Sequence, residues 1–359
     1  MQAKRRSAID PSLLMALLLL SSLSLVVLYS AGGESYDLIW RQFVRLFVAL
    51  LALIIFSMIS PDSLRRWSPH LFIIGTLLLT LVLVIGYIGK GAQRWLDLGV
   101  VRFQPAEIMK LAVPMMIAWI LSRRSLPPGI LSIVLASICV VLPAVLVILQ
   151  PDLGTAILIA VSGLLVIFLA GLRWQYIVAT IGLVMAAAPL MWFNLHAYQQ
   201  RRILTLFDPY SDPLGAGYHT IQSTIAVGSG GLHGKGWIGG TQSQLEFIPE
   251  RSTDFIFAVF AEEFGLIGSL LILSIYLFIV GRTLVIAFNA RDAYSRLLTA
   301  SLSLTFFFYV FVNIGMVTGI LPVVGVPLPL ISYGGTSMVT LMAGFGIVMS
   351  VNSRKHFMA

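Results

Sequence analysis

The sequence predicts an all-α polytopic integral membrane protein. Hydrophobic residues make up 58% of the chain and charged residues only 11%, and the mean hydropathy is +0.95. Soluble domains, by contrast, carry roughly 25% charged residues. Apolar runs of about 20 residues recur along the whole chain, and each is long enough to cross a hydrocarbon core about 30 Å thick. We therefore expect a single membrane domain over residues 1–359, with no soluble catalytic domain.

Ten apolar runs fit membrane-spanning helices by length and composition. They lie near residues 13–30, 43–59, 71–88, 108–121, 130–149, 155–170, 176–195, 255–280, 297–321 and 330–351. A long polar segment, residues 196–253, separates the seventh run from the eighth. We interpret this segment as one large extracellular loop.

Basic residues in the short loops indicate the orientation of these spans. Clusters that include Lys4, Arg65 and Arg123 fall on one side, which the positive-inside rule makes the cytoplasmic side. An even number of spans then places both termini in the cytoplasm. Cations such as Arg94 and Lys110 fall on the outer side, against this rule, and an anionic ligand on that face would account for them.

Several classes of function do not fit the sequence. The net charge of +8 comes from dispersed basic residues, so the basic face expected of a nucleic-acid-binding protein is missing. The GKGWIG run at 234–239 follows no predicted strand, which excludes a dinucleotide site. The single Cys139 cannot form an intramolecular disulfide, and the five histidines show no metal-ligand spacing. Carboxylates remain as the candidate chemistry.

The strongest carboxylate candidates lie in the segment 240–265, which passes from the polar loop into an apolar run. Asp254 stands at this boundary beside Arg251, where a carboxylate is partly desolvated yet open to a bulky substrate. That position suits a general base, and a cap for the eighth span is the structural alternative. Glu262 and Glu263 lie about two helical turns further in, where an ionised group costs about 2.5–3.5 kcal/mol, so they are also candidates.

Three further positions have both a functional and a structural interpretation. Glu107 and Lys110 are three residues apart on one helix face, which suits either an ion pair or a substrate contact. Asp152 opens the sixth run and can act as a helix N-terminal carboxylate or as a site residue. Trp95 alone is compatible with an ordinary interfacial aromatic residue.

The segment 313–337 combines three prolines with a glycine pair and cannot be continuously helical. Non-helical backbone at membrane depth is tolerated only where it is buried in protein or lines a cavity. We therefore expect this segment to form a re-entrant wall that faces an outer cleft. A plain turn between two spans is the alternative.

Five motifs occur in a fixed order along the chain. They are QPAE with a lysine three residues later (104–110), QPDLGT (150–155), GTQ (240–242), PE followed by TDFIFA (249–258), and PLISYGG (329–335). This series resembles the SEDS family (shape, elongation, division and sporulation) over nearly the whole chain. The resemblance is closer to the rod-shape members than to the division members.

The resemblance implies a peptidoglycan glycosyltransferase. Such an enzyme polymerises lipid II on the outer face of the bacterial cytoplasmic membrane during cell elongation. The family's essential aspartate falls on Asp254, its functional tryptophan on Trp95, and its membrane-buried pair on Glu107 and Lys110. Glu246 matches a further acidic position of functional weight.

The family often has histidine two residues before the aspartate, whereas this chain has Ser252. A histidine base is therefore missing there, which leaves Asp254 less contested as the residue that acts as general base or orients the attacking hydroxyl. We expect catalysis by Asp254, with substrate contacts from Trp95, Glu107, Lys110, Asp152, Glu246 and Arg251.

In this hypothesis the 4-hydroxyl of an acceptor GlcNAc attacks the anomeric carbon of a lipid-linked MurNAc with inversion. Cations such as Lys110, with a divalent ion (Mg²⁺ or Mn²⁺) as an optional participant, stabilise the departing undecaprenyl pyrophosphate. The resemblance implies a class B penicillin-binding transpeptidase and other elongation-complex membrane proteins as partners. A lipid II flippase that forms no bonds, and a scaffold for the transpeptidase, are the alternatives.

Overall fold

The computed structural model describes residues 9–89, 92–97, 102–194, 200, 204–213, 215, 217–248 and 250–353. Its helices are α1 Pro11–Ala31, α2 Tyr36–Met58, α3 Pro61–Ile85, α4 Pro105–Leu121, α5 Ile130–Ile148, α6 Leu153–Leu169, α7 Trp174–Asn194, α8 Tyr218–Ser229, α9 Thr241–Gln244, α10 Ile256–Phe288, α11 Ala293–Val317 and α12 Thr336–Ser353. Each of the ten predicted spans corresponds to one of these helices.

The helices confirm a polytopic α-helical membrane protein. Within the described part of the chain, seven helices are long and apolar enough to cross a membrane: α1, α2, α3, α5, α10, α11 and α12. Helices α4 and α6 have 17 residues each. The total of ten spans stays a prediction, as does the assignment of 196–253 as one extracellular loop. The termini, at 1–8 and 354–359, lie outside the described residues.

Two predicted helix starts are wrong because the apolar pattern was given more weight than the caps. Helix α2 begins at Tyr36, not at 43, and the Ser35 hydroxyl caps it by accepting from the Leu38 amide at 3.4 Å. Helix α3 begins at Pro61, not at 71, and Ser60 accepts from the Ser63 amide at 3.1 Å. Serine at the cap is the local signal of both starts, and proline at the first helical position is a second signal for α3.

A small antiparallel sheet, which the sequence analysis did not predict, follows α3. Its strands are β1 Tyr87–Gly89, β2 Ala92–Asp97 and β3 Arg102–Phe103, in the order β1-β2-β3. The predicted third span, 71–88, therefore ends too late, because α3 stops at Ile85 before Gly86. Strand β2 carries Arg94 and Trp95, and Trp95 pairs with Tyr87 of β1.

Helix α10 is broken at Gly265, where φ is 66° and ψ is −161°. The predicted eighth span had no such break. The loop that follows α8, residues 231–236, enters this break. It makes four backbone hydrogen bonds with α10, in place of the two that Leu266 and Ile267 would have made within a continuous helix. The Leu266 and Ile267 amides donate to the carbonyl oxygens of Gly231 and Leu232, at 2.9 and 3.2 Å.

The carbonyl oxygens that these two amides would have used are taken by the same loop. The amide of Lys235 donates to the Glu262 oxygen and that of Gly236 to the Glu263 oxygen, each at 3.0 Å. A Cβ at Gly234 would collide with the Glu263 carbonyl, so glycine is needed for this approach. Gly234 and Gly236 of this loop thus lie at the break in α10.

Two large buried apolar clusters and a smaller third one hold the described helices together. The first large cluster joins α1, α2, α10, α11 and α12, and the second joins α3, α4, α5, α6 and α11. A cavity of about 1080 Å³ is lined by α2 and α12 of the first cluster and by α3, α4 and the sheet next to the second. The wall of this cavity carries several of the predicted site residues.

Candidate active site

Asp254 lies in the turn that leads into α10. The N-cap of this helix is Phe255, whose side chain makes no capping hydrogen bond. Asp254 therefore stands one residue before the cap position, which does not support the alternative interpretation of Asp254 as the cap. Thr253 is also not a cap, since its hydroxyl donates to the backbone and side-chain oxygens of Glu250 at 3.2 and 2.9 Å. The Asp254 side chain is half-buried, so it is partly desolvated and still accessible, as a general base requires.

Three hydrogen bonds from distant residues fix the backbone around Asp254. The Asn313 side-chain amide donates to the Asp254 carbonyl at 2.8 Å and to the Val326 carbonyl at 2.7 Å. The Ser332 hydroxyl donates to the Thr253 carbonyl at 2.6 Å. The Tyr333 amide donates to the Ser252 carbonyl at 2.8 Å. The turn is thus held in place before any ligand arrives.

The partners of this turn come mostly from the segment between α11 and α12. This segment is non-helical from Gly319 to Gly335, as expected for a re-entrant wall, but α12 begins at Thr336 and the predicted start at 330 is wrong. Leu330 has a φ of 63°, which a continuing helix could not contain. A Cβ added at Gly325 would lie 3.3 Å from Asp254 Oδ2, so the segment passes directly beside the carboxylate.

Asp152 serves as the N-cap of α6, as its structural interpretation expected. Its Oδ1 accepts from the Thr155 amide at 3.2 Å. Its Oδ2 accepts from Gln104 at 3.2 Å and lies 3.6 Å from a guanidinium nitrogen of Arg94. Arg94 also donates to the Pro151 carbonyl at 2.6 Å. Asp152 therefore ties the small sheet to the start of α6.

Glu107 and Lys110 form the buried ion pair that their spacing predicted. The Lys110 ammonium is 2.7 Å from Glu107 Oε1, and both side chains are buried. The ammonium lies 5.4 Å from the centre of the Tyr309 ring. Among the residues that the structure describes, Glu107 Oε2 has no hydrogen-bond partner, and Glu107 lines the cavity. Within the described part of the chain, the pair therefore leaves one buried carboxylate oxygen without a hydrogen-bond partner next to the cavity.

The cavity combines a polar region with long apolar walls. Its polar side chains include Arg45, Arg94, Trp95 and Glu107, and most of the remaining lining is aliphatic. A volume of about 1080 Å³ lies at the upper end of the range for small-molecule sites. The structure thus brings Trp95, Glu107 and Arg94 to one wall.

Glu246 and Arg251 also meet, on the loop side of Asp254. Arg251 Nη2 lies 3.0 Å from Glu246 Oε1, and Arg251 Nη1 donates to the Ser243 carbonyl. Glu246 itself is exposed, and neither residue lines the cavity. The predicted site residues therefore fall into two groups, one around Asp254 and one around the cavity. Tyr333 joins them, because its amide holds Ser252 and its ring lies 4.1 Å from the Arg45 guanidinium.

The comparisons with known proteins agree on one family. The FTSW_RODA_SPOVE family model, described as Cell cycle protein, matches residues 8–356. The chain belongs to the SEDS family. It is 52% identical over 352 residues to the peptidoglycan glycosyltransferase MrdB of Escherichia coli K12, which covers 98% of this chain and 95% of MrdB. It is 33% identical to stage V sporulation protein E of Bacillus subtilis, over 97% of this chain and 98% of that protein.

Solved structures place this SEDS chain among the rod-shape members. A chain of a peptidoglycan synthase complex that coordinates polymerization and crosslinking matches with a TM-score of 0.85, 34% identity, and coverage of 97% of this chain and 98% of that one. RodA of Thermus thermophilus matches with a TM-score of 0.74 and 28% identity, over 98% of both chains. The rod-shape resemblance predicted from the motifs is confirmed.

Glu262, a candidate because of its depth, anchors the loop of this SEDS chain. It is fully buried, lies 2.7 Å from the Lys235 ammonium, and accepts from the Gln242 and Ser243 amides at 2.9 and 3.2 Å. Its position two helical turns into an apolar run predicted a costly charge, but the loop that enters the helix supplies its partners. Glu263 accepts from the Ser30 hydroxyl of α1.

Sequence reasoning missed Asn313, Ser332 and Arg45. Each stands as a polar residue within or beside an apolar run, and that contrast is the signal that would have identified them. Within the described residues, no three His, Cys, Asp or Glu side chains cluster closely enough to hold a metal ion. The side chains of this part of the chain therefore offer no ready-made site for Mg²⁺ or Mn²⁺.

Proposed function

We propose that this chain is a peptidoglycan glycosyltransferase that polymerises lipid II at the outer face of the bacterial cytoplasmic membrane during cell elongation. The observation that carries the proposal is the half-buried Asp254, on a backbone turn held by Asn313, Ser332 and Tyr333. The relatives named peptidoglycan glycosyltransferase, at up to 52% identity, support the same activity.

The cavity supports a lipid-linked substrate. Its aliphatic walls suit an isoprenoid chain, and its polar side chains suit the charged and sugar parts of such a molecule. Trp95 offers a flat apolar surface to a sugar ring, and Glu107 places a carboxylate at the cavity wall. Lys110 pairs with the other oxygen of Glu107 at 2.7 Å.

Asp254 acts as the base in the proposed reaction. It removes the proton from the 4-hydroxyl of the acceptor GlcNAc as that oxygen attacks the anomeric carbon of the donor MurNAc. The bond from that carbon to the diphosphate oxygen breaks, and undecaprenyl pyrophosphate leaves with the bonding electrons. Attack from the opposite face inverts the anomeric carbon. The proton remains on Asp254 until product release.

The other predicted site residues support this step. Asp152 and Arg94 hold the sheet that carries Trp95, and Arg251 fixes the loop turn at Glu246. Since the described residues form no metal cluster, we derive no step through a divalent cation. A cation that takes part in the reaction would bind mainly to the diphosphate of the substrate.

The same proposal includes the protein partners of this chain and its orientation in the membrane. A structural neighbour is part of a peptidoglycan synthase complex, which supports a class B penicillin-binding transpeptidase as a partner, with other elongation-complex membrane proteins around it. The basic short loops support an inner-membrane orientation with both termini in the cytoplasm.

The deciding experiment is polymerisation of purified lipid II by the detergent-solubilised protein, with and without the transpeptidase. Wild type is compared with Asp254→Asn, which keeps the shape of the side chain but cannot accept the proton. We expect glycan strands from wild type and a loss of at least about 100-fold in the variant. A matched Asp208→Asn variant, altered in an exposed turn, should keep the wild-type rate.

Strands formed in micelles, where no two sides exist, would exclude a protein that only flips lipid II. No strands from a folded wild-type protein under either partner condition would instead support the flippase. Equal rates for wild type and Asp254→Asn would refute the assigned base.

A further inference from the structure

Arg45 is a cation at membrane depth on the wall of the cavity. It lies nine residues after the start of α2 at Tyr36, which corresponds to about 13.5 Å along the helix. Its guanidinium carbon is 4.1 Å from the centre of the Tyr333 ring, and its side chain passes close to the backbone of Gly335. Arg45 thus has a fixed position beside the empty volume.

The charges around the cavity do not balance. Lys110 is neutralised by Glu107 at 2.7 Å, and Arg94 is near Asp152 at 3.6 Å. Arg45 has no carboxylate partner among the residues that the structure describes, and its described contact is the Tyr333 ring. The lining of the cavity therefore carries one uncompensated positive charge.

An uncompensated guanidinium at this depth is costly. A charged side chain in a membrane-spanning helix is costly to hold unless it has a partner of opposite charge. The cation–π contact with the Tyr333 ring offsets only part of this cost. An anionic ligand in the cavity would supply the rest. Guanidinium groups bind phosphate oxygens through two parallel hydrogen bonds.

We propose that Arg45, held over the Tyr333 ring, binds the diphosphate of the undecaprenyl-linked ligand in the cavity. This inference rests on the proposed function, because it identifies a binding residue for the same substrate class. The guanidinium binds the anion, and the aliphatic wall beyond it takes the isoprenoid chain.

The position of Tyr333 gives this contact a second consequence. Its amide holds the Ser252 carbonyl, and the neighbouring Ser332 hydroxyl holds the Thr253 carbonyl. A diphosphate bound to Arg45 is therefore connected to the turn that carries Asp254 through one residue, Tyr333. The ring of Tyr333 contacts Arg45, and its amide holds the Ser252 carbonyl. Arg45 is in this view a ligand-binding residue and Tyr333 its positioning residue.

The test measures binding of two radiolabelled probes, undecaprenyl diphosphate and uncharged undecaprenol, to the full-length protein in detergent. Arg45→Gln is compared with Arg45→Lys and with the control Arg41→Gln. Arg41 is on the same helix, is exposed, and pairs with Asp37 at 2.9 Å without lining the cavity. Competition with phosphatidylglycerol separates the diphosphate from an ordinary anionic lipid headgroup.

We expect Arg45→Gln to weaken diphosphate binding by about tenfold or more, the effect of losing charge-assisted hydrogen bonds, with undecaprenol binding unchanged. Arg45→Lys should be intermediate, and Arg41→Gln should match wild type. Equal weakening for both probes would show a structural role and overturn the proposal. Unchanged diphosphate binding in Arg45→Gln would overturn it as well, as would full displacement by equimolar phosphatidylglycerol.

The same preparations are assayed for lipid II polymerisation, which keeps the two proposals separable. A wild-type protein that polymerises but shows no Arg45 effect on binding refutes the role of Arg45 alone. A protein that shows the Arg45 effect but forms no strands refutes the glycosyltransferase proposal alone.

Discussion

The side-chain amide of Asn313 donates to the carbonyl oxygen of Asp254 at 2.8 Å, although 59 residues separate them. The same nitrogen donates to the Val326 carbonyl at 2.7 Å. One buried side chain thus ties the turn before α10 to the segment that passes beside its carboxylate. The position of Asp254 depends on a residue near the C-terminal end of another helix, α11.

Replacing Asn313 by leucine removes this donor while keeping the side-chain volume similar. Two buried carbonyls then lose a partner, so we expect a stability loss of about 1–3 kcal/mol together with a fall in kcat larger than the change in KM. Lipid II polymerisation and thermal unfolding in detergent measure the two effects. The control Asn289→Leu alters an exposed asparagine that bonds only to Val285 of its own helix. An Asn313→Leu protein with wild-type kcat would show that the Asp254 turn holds without this bond.

A methyl group at Gly325 should disturb the carboxylate itself. The added carbon would stand 3.3 Å from Asp254 Oδ2, and the φ of 73° costs a non-glycine residue roughly 1–2 kcal/mol. We expect Gly325→Ala to lower the polymerisation rate about tenfold or more while the protein still folds. Gly281→Ala, in a helix with open space around it, is the matched control. Equal rates for the two variants would contradict the close approach.

Removal of the Glu262 charge should release the loop from the gap in α10. Glu262→Gln leaves the Lys235 ammonium without a counter-charge. It also places the NH₂ group of the new glutamine opposite donors, because Lys235 and the amides of Gln242 and Ser243 all donate to Glu262. We expect a loss of about 3 kcal/mol and faster hydrogen exchange at the amides of Gln242 and Ser243. Exchange measured by mass spectrometry tests this, with exposed Glu34→Gln as the control. Unchanged protection in Glu262→Gln would mean that the backbone bonds alone hold the loop.

Asp10 should make stability depend on pH. It caps α1, its Oδ2 lies 2.7 Å from Arg282 Nη2, and Asn352 of α12 donates to the same oxygen at 2.8 Å. Burial alone would raise the pKa of Asp10, but the hydrogen bonds from Arg282 and Leu13 lower it below its ordinary value. Because the folded pKa is depressed, this stabilisation is full above the unfolded value, about 3.9. It is lost as pH falls through the folded value.

We therefore expect Asp10→Asn to reduce stability by about 2 kcal/mol at neutral pH and by progressively less as the pH falls below about 4. Thermal unfolding in detergent across this pH range measures the difference. The control Asp62→Asn changes an exposed aspartate in the first turn of α3. A difference between wild type and Asp10→Asn that stays constant down to the lowest pH would contradict the assigned ion pair.

The helices were predictable because an apolar run of this length in lipid must pair its backbone hydrogen-bonding groups within itself, which an α-helix does. The sequence also located Asp254 correctly at the start of a helix, since the change from polar to apolar residues marks that position. The break at Gly265 was not predictable in the same way, because the surrounding AEEFGLIG has no proline. That break depends on a loop some thirty residues earlier, whose backbone supplies the missing hydrogen bonds.

The residues that hold the Asp254 turn could not be predicted from the neighbouring sequence either. Asn313 and Ser332 lie far from Asp254 in the chain, and nothing within one helical turn of either residue specifies its partner. The pairing of Glu107 with Lys110 was predictable because it is local. The pairing of Arg94 with Asp152 was not, because it joins a sheet to a helix 58 positions further on.

The insertion of the loop into α10 has a mechanical consequence. The half-helix from Ile256 to Gly265 ends on carbonyls that bond to the loop, and the second half begins with amides that bond to the same loop. If the loop left, four backbone groups would lose their partners in a place without water, at a cost of several kcal/mol each. Four backbone hydrogen bonds therefore join the half-helix and the loop. Asp254 stands two residues before the start of this half-helix, so the loop and the Asp254 turn are connected through it.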